Sequence, residues 1–167
     1  MLHDHPRSAT ASAEAQYSPC GLHRLTLLHR WGAADLLGWV MLNPSTATET
    51  QDDPTVARCR RRAGDMGCGG FVITNLFTWR SPSPAELKRA AAPLCHGADE
   101  AMLKVLAGCD RVICAWGNHG TYRNRAAEVR ALLAAAGLPL WHLGLTRLGQ
   151  PRHPLYTRHD APLWPLV

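Results

Sequence analysis

The chain is expected to fold as a three-layer α/β/α sandwich around a mostly parallel central sheet. Short apolar runs of strand length, Leu36 to Leu42, Phe71 to Phe77, Arg111 to Ala115 and Leu138 to Leu145, alternate with segments of helical period. Each strand run breaks at a polar turn, Asn43-Pro44-Ser45 first among them. Open α/β proteins carry their chemistry on loops at the carboxyl ends of such strands.

The 167 residues, 46% hydrophobic and 19% charged, suit one globular domain with its own core. Residues 1–19 are small, polar and aperiodic and are read as a flexible tail without function for His3 or His5; residues 20–167 are read as the single domain. No apolar run has the length of a membrane span and the amino terminus lacks a secretory stretch, so a cytoplasmic protein is expected. The net charge of +5 and a pI near 9.1 favour a polyanionic partner without requiring one. The six cysteines form no Cys-x-x-Cys and several lie in apolar runs, which reads as reduced thiols and no metal or cofactor.

Leu22 to Trp31 alternates and is followed by a Gly-Ala-Ala-Asp turn and Leu36 to Leu42, the pattern of a hairpin entering the sheet. Asp53 before Pro54 starts a helix, the carboxylate accepting free amide protons and the proline suiting the first helical position. Val56, Cys59, Ala63 and Met66 share its buried face, the arginines at 58 and 60 to 62 cover the rest, and Gly67 with Gly69-Gly70 ends it. Further helices fit Pro84 to Ala91, Gly97 to Ala107 and Tyr122 to Ala135. Gly149 to Tyr156 is a proline-pinned loop rich in aromatic and charged groups.

Asn43, Asn75, Trp116 to His119 and His153 thus fall at or just past strand ends, which converge on one edge of a parallel sheet. Amides read edges that both donate and accept hydrogen bonds, as a nucleobase edge does, and aromatic rings offer stacking faces. No nucleophile elbow, phosphate-binding Gly-x-x-x-x-Gly-Lys loop or His-Glu-x-x-His is present. Bland readings stand beside these. Asn43 also suits a simple Asn-Pro turn, Asp53 a helix cap, Trp116 core packing, and the arginines a solvated face.

Met41-Leu42-Asn43-Pro44-Ser45, Asp52-Asp53-Pro54-Thr55, Asn75-Leu76-Phe77, Trp116-Gly117 and Pro151-Arg152-His153-Pro154-Leu155-Tyr156 resemble the family catalogued as domain of unknown function 1643, over about residues 20 to 165. The order of these pieces is also similar to the uracil-DNA glycosylase superfamily, although Pro151-Arg152-His153-Pro154 departs from that superfamily's His-Pro-Ser-Pro order and Ser45 stands where many members have glycine. That second resemblance implies a glycosylase-like fold and a DNA-repair hydrolase that cleaves the N-glycosidic bond of uracil or a deaminated base. Carried over, Asn43 holds the attacking water, Asn75 recognises the base, and His153 stabilises the leaving base. Asp52 or Asp53 is a stronger base if the loop folds back, and Asp52 is taken as the candidate. Ser45, Trp116 and Phe77 join Asn75 as substrate contacts, and Arg58, Arg61, Arg80, Arg152 and Tyr156 are the candidate DNA contacts. The partner so implied is single- or double-stranded DNA, bound by a monomer. The alternatives are a module that reads a base without cleaving it and an enzyme of free nucleosides or nucleotides. Arg58 to Arg62 and Pro151 to Tyr156 separate them: both at the pocket favours DNA, both turned away a small molecule.

Overall fold

The computed structural model describes residues 11–167, so that His3 and His5 lie outside the described residues. The fold is mixed α/β. A seven-stranded sheet runs in the order β1-β2-β4-β3-β5-β6-β7. The strands are β1 (Ser12–Tyr17), β2 (Arg24–Arg30), β3 (Leu36–Met41), β4 (Gly70–Asn75), β5 (Cys109–Cys114), β6 (Leu140–His142) and β7 (Trp164–Pro165). The helices are α1 (Pro54–Asp65), α2 (Pro84–Arg89), α3 (Ala98–Leu106) and α4 (Arg125–Ala135).

β4, β3, β5 and β6 are parallel neighbours, whereas β1 with β2, β2 with β4, and β6 with β7 are antiparallel. The sheet is therefore mixed and not the mostly parallel one expected, because both margins are finished by antiparallel strands. Both faces of its centre are buried, as the continuous apolar runs require. Val40, Val72, Val112 and Cys114 pack with Met102 and Leu106 of α3 and Val129 and Leu133 of α4. Leu37, Trp39, Phe71, Ile73 and Ile113 pack with Val56, Cys59 and Ala63 of α1. The period-two alternation of β3, β4 and β5 thus sorts side chains onto two cores.

The expected hairpin of β2 with β3 is not formed. β4 lies between them, in register Leu27 to Ile73 on one side and Trp39 to Ile73 on the other. The connection through 31–35 passes over the start of β4, where Trp31 and Gly32 amides donate to Gly69 O at 2.9 and 3.0 Å. Gly69 and Gly70 allow the crossing: a Cβ on Gly69 would lie 2.7 Å from Gly32 O, and one on Gly70 2.8 Å from Arg30 Cα. An alternating sequence looks the same whether its partner is the next strand or a later one.

Ser12–Tyr17, read as part of an aperiodic tail, is an edge strand paired with β2. Its side chains are mostly exposed, so it has no apolar alternation to betray it. α1 begins as expected, Asp53 Oδ1 accepting from Val56 N at 2.9 Å with Pro54 at the first position. Two further ties hold the strand ends. Thr74 Oγ1 donates to Trp39 O at 2.9 Å, and the buried Arg125 of α4 donates through Nε to Leu76 O at 2.7 Å while pairing with Asp99. The cysteines carry no disulfide, and burial pushes the Cys109 and Cys114 thiols up to about 12. No helix among the described residues is long and apolar enough to cross a membrane.

Candidate functional site

Past the carboxyl ends of β3, β4 and β5 lies a cleft of about 700 Å³, within the range of small-ligand sites. It is lined by, among others, Arg24, Asn43, Ser45, Asp53, Asn75, Trp116, Asn118, Arg152, His153 and Tyr156. Residues over a hundred positions apart meet there because three parallel strands end side by side and the late loop folds back over them. Gly117 N donates to Pro151 O at 2.7 Å and Arg152 N to Gly144 O at 2.9 Å, fixing that loop against the end of β5.

Asn43 is held by its nitrogen. Nδ2 lies 3.0 to 3.2 Å from Pro44 O, Trp79 O, Ser81 O and Ser81 Oγ. A nitrogen surrounded by carbonyls identifies itself as the donor end of the amide. The turn reading and the functional one are thus compatible: Nδ2 ties the loop to 79–81, and Oδ1 is left as an acceptor.

Asn75 closes β4 at 3% exposure. Its backbone continues the ladder with Met41, but no protein group pairs with its side-chain amide among the described residues. Among the described residues the sealed side-chain atoms without a partner are Arg24 Nε, His29 Nε2 and Trp39 Nε1, so the Asn75 amide stays open to the cleft.

His153 accepts from Leu155 N through Nδ1 at 3.2 Å. That bond requires a lone pair on Nδ1 and so puts the ring proton on Nε2. Burial holds the imidazole below its ordinary pKa, with Asp53 acting weakly against it. The group is a neutral N–H donor at pH 7. Asp53 also lines the cleft, but Val56 N and Ala47 N, the latter at 3.3 Å, occupy its two oxygens, so it serves as a cap and loop anchor.

Trp116 is 1% exposed and packed in the core, with Nε1 donating to Gln150 Oε1 at 2.9 Å. Only an edge of it borders the cleft, and Gly120 permits its seat, since a Cβ there would lie 2.8 Å from the indole Cγ. Five expected site residues lie elsewhere. Asp52 is engaged by Arg60 through two bonds of 2.7 and 2.9 Å, which hold its carboxyl low and turn it from the cleft. Phe77 is 1% exposed in the core beside Tyr122. Arg58 donates to Thr157 O at 3.0 Å and contacts His159, and Arg61 contacts the same histidine. Arg80 lies over the Tyr17 ring. These arginines bind the chain itself, a role no local pattern reveals. Asp52→Asn is accordingly expected to cost no more than about 1 kcal/mol in urea unfolding, since the pair is partly exposed, and to leave any activity within about twofold; a hundredfold loss would return Asp52 to the chemistry.

The sequence reading missed Arg24. It opens β2, where arginine ordinarily means surface, yet it is 2% exposed and borders the cleft. Burial lowers its pKa to about 10, which leaves it charged, with Asp53 opposing the shift. Asn118, bonded to Thr146 Oγ1 at 2.6 Å, was also outside the candidate set apart from its place in the Trp116 to His119 turn. Among the described residues no group of three or more His, Cys, Asp or Glu is arranged to hold a metal.

The molecule is therefore a mixed α/β protein with a cleft, bordered by the amides of Asn43, Asn75 and Asn118, at the carboxyl ends of its parallel strands. It belongs to the family described as "Protein of unknown function (DUF1643)", which matches residues 24–155. No curated protein and no solved structure matches the chain.

Proposed function

We propose that the cleft binds a flat nucleobase and that the protein is a glycosylase-like hydrolase of the N-glycosidic bond of a damaged or unusual base, uracil or a deaminated base, in DNA. The observation that carries the reading is the meeting of Asn43, Asn75 and His153 on one cavity, with no protein group among the described residues bonded to the Asn75 side-chain amide. The glycosylase-like arrangement of the parallel strands is part of this proposal.

Breaking the bond builds positive charge on the sugar and negative charge on the base. A donor already aimed at the base oxygen lowers the barrier without reorganising. His153 Nε2–H is such a donor, neutral and oriented by Leu155 N. Asn75 offers one acceptor and one donor group to the base edge, the complement of an imide or lactam. Asn43 Oδ1 accepts from a water and sets its approach. An oxocarbenium-like centre needs a positioned water more than a deprotonated one, which accords with the engagement of both candidate carboxylates elsewhere.

The test is incubation with oligonucleotides carrying uracil, hypoxanthine, xanthine or a mismatch, followed by alkali to reveal abasic sites. Release of one base, lost in Asn75→Ala, is the expected result. Salt-sensitive binding with no release at high enzyme excess would favour the base-reading module instead, and activity untouched by Asn75→Ala would refute the site. A second reading, an enzyme of free nucleotides, is favoured by one observation, that Arg58 and Arg61 hold residues 157–159 and do not border the cleft; Arg152, His153, Leu155 and Tyr156 do border it, as the DNA reading expects.

A further inference from the structure

Arg24 is a charge at the cleft that base release does not use. Among its N–H groups, one on Nη1 donates to Ala47 O at 2.9 Å, and Nε is sealed from solvent without an acceptor. No carboxylate forms an ion pair with it among the described residues. Asp53, the carboxylate whose charge acts on it, has both oxygens on backbone amides.

Arg125 shows what such a group requires. At 4% exposure it donates to Leu76 O and pairs with Asp99 and Glu128. A guanidinium withdrawn from water needs acceptors and a counter-charge; Arg125 finds both in the protein and Arg24 finds one carbonyl. Nε stays sealed, and Nη2, with no partner among the described residues and not sealed, is the group left to what enters the cleft. The first turn of α1, Pro54 to Val56, borders the same cavity, but its Val56 amide is already bonded to the Asp53 carboxylate, so the case for an anion rests on Arg24. A base carbonyl would bring an acceptor and no full charge, whereas a phosphate brings an acceptor oxygen together with the counter-charge.

We infer that Arg24 holds a phosphate group of the ligand, so that the cleft takes a nucleotide, free or at the 5′ end of a strand, in preference to a bare base or nucleoside. The inference rests on the nucleobase reading for the identity of the remainder of the ligand, but not for the anion.

Calorimetric titration tests it. Deoxyuridine and deoxyinosine are compared with their 5′-monophosphates, with deoxyribose 5-phosphate, and with a trinucleotide bearing or lacking a 5′-phosphate. The monophosphates are expected to bind about tenfold to a hundredfold more tightly than the nucleosides. Arg24→Gln should shrink that ratio below about threefold, and Arg24→Lys should keep part of it. Should Arg24→Gln not fold, the wild-type ratio and the Arg24→Lys protein decide alone. A phosphorylated trinucleotide binding above its monophosphate assigns the group to a strand end; the reverse assigns it to a free nucleotide. Nucleosides and monophosphates binding alike would overturn the inference and leave the nucleobase reading intact. Deoxyribose 5-phosphate binding as well as the monophosphates, through Arg24, would uphold the anion site and refute the nucleobase reading. No binding by any of the set overturns both.

Discussion

His153→Ala is expected to slow base release by about a hundredfold to a thousandfold, the usual cost of one preorganised donor facing developing negative charge. The loss should fall on the chemical step measured in single turnover, with substrate affinity changed far less, because the bond to the base oxygen strengthens as charge develops. The pH profile separates this role from packing. Burial keeps the ring's pKa below 6.5, so the rate should hold as pH falls through 6.5 and decline only at lower pH, where protonation takes the lone pair that Leu155 N uses. Stability follows the same group. The unfolded chain takes up a proton near 6.5 that the folded imidazole resists, so the stabilising contribution is complete above pH 6.5 and is lost progressively as pH falls below it. His23, His29 and His142 are shifted in the same direction by burial. Urea unfolding should therefore show a summed loss of stability between pH 7.5 and 5.5, smaller in His153→Gln than in the parent. A full rate in His153→Ala would remove the histidine from the mechanism.

Gly70→Ala is expected to destabilise the fold by more than about 4 kcal/mol, in the range reserved for specific structural conflicts. Gly70 holds φ at +151°, and an added methyl would run into His29 O and Arg30 Cα. Those atoms belong to the neighbouring strand backbone, which cannot rotate away as a side chain does. Gly64→Ala is the control: it lies inside α1 with nothing within 4 Å of the added carbon. There alanine should gain up to about 1 kcal/mol in helix propensity. Thermal unfolding distinguishes the two, and a Gly70→Ala melting point within a few degrees of the parent would contradict the tight crossing of residues 31–35 over β4.

Much of the site was legible because it lies where local signals are strongest. Asp53-Pro54 announces a helix start, and apolar runs that stop at Asn43 and Asn75 announce strand ends, so their meeting follows from the rule that parallel strands share an edge. What was not legible depends on partners distant in the chain. The arginines of α1 have the spacing of a solvated face, and only the return of residues 157–161 engages them, Arg62 Nη1 donating to Ala161 O at 2.8 Å. Asp52 and Asp53 are adjacent and chemically alike, yet Arg60 removes one and the helix cap occupies the other. Arg24 carries no local sign of its place at the cleft, because its bond is to Ala47 O, more than twenty residues away.

The insertion of β4 between β2 and β3 bears on how the chain matures during synthesis. The first two central strands to leave the ribosome have no direct contact to make with each other, since the strand that joins them is encoded some thirty residues after β3 begins. β1 and β2 can pair as they emerge and α1 needs only its own cap to start, but β3, with Leu37 and Trp39, has no partner strand until residues 70–75 follow. Slow translation of that interval would lengthen the exposure of these side chains to chaperones.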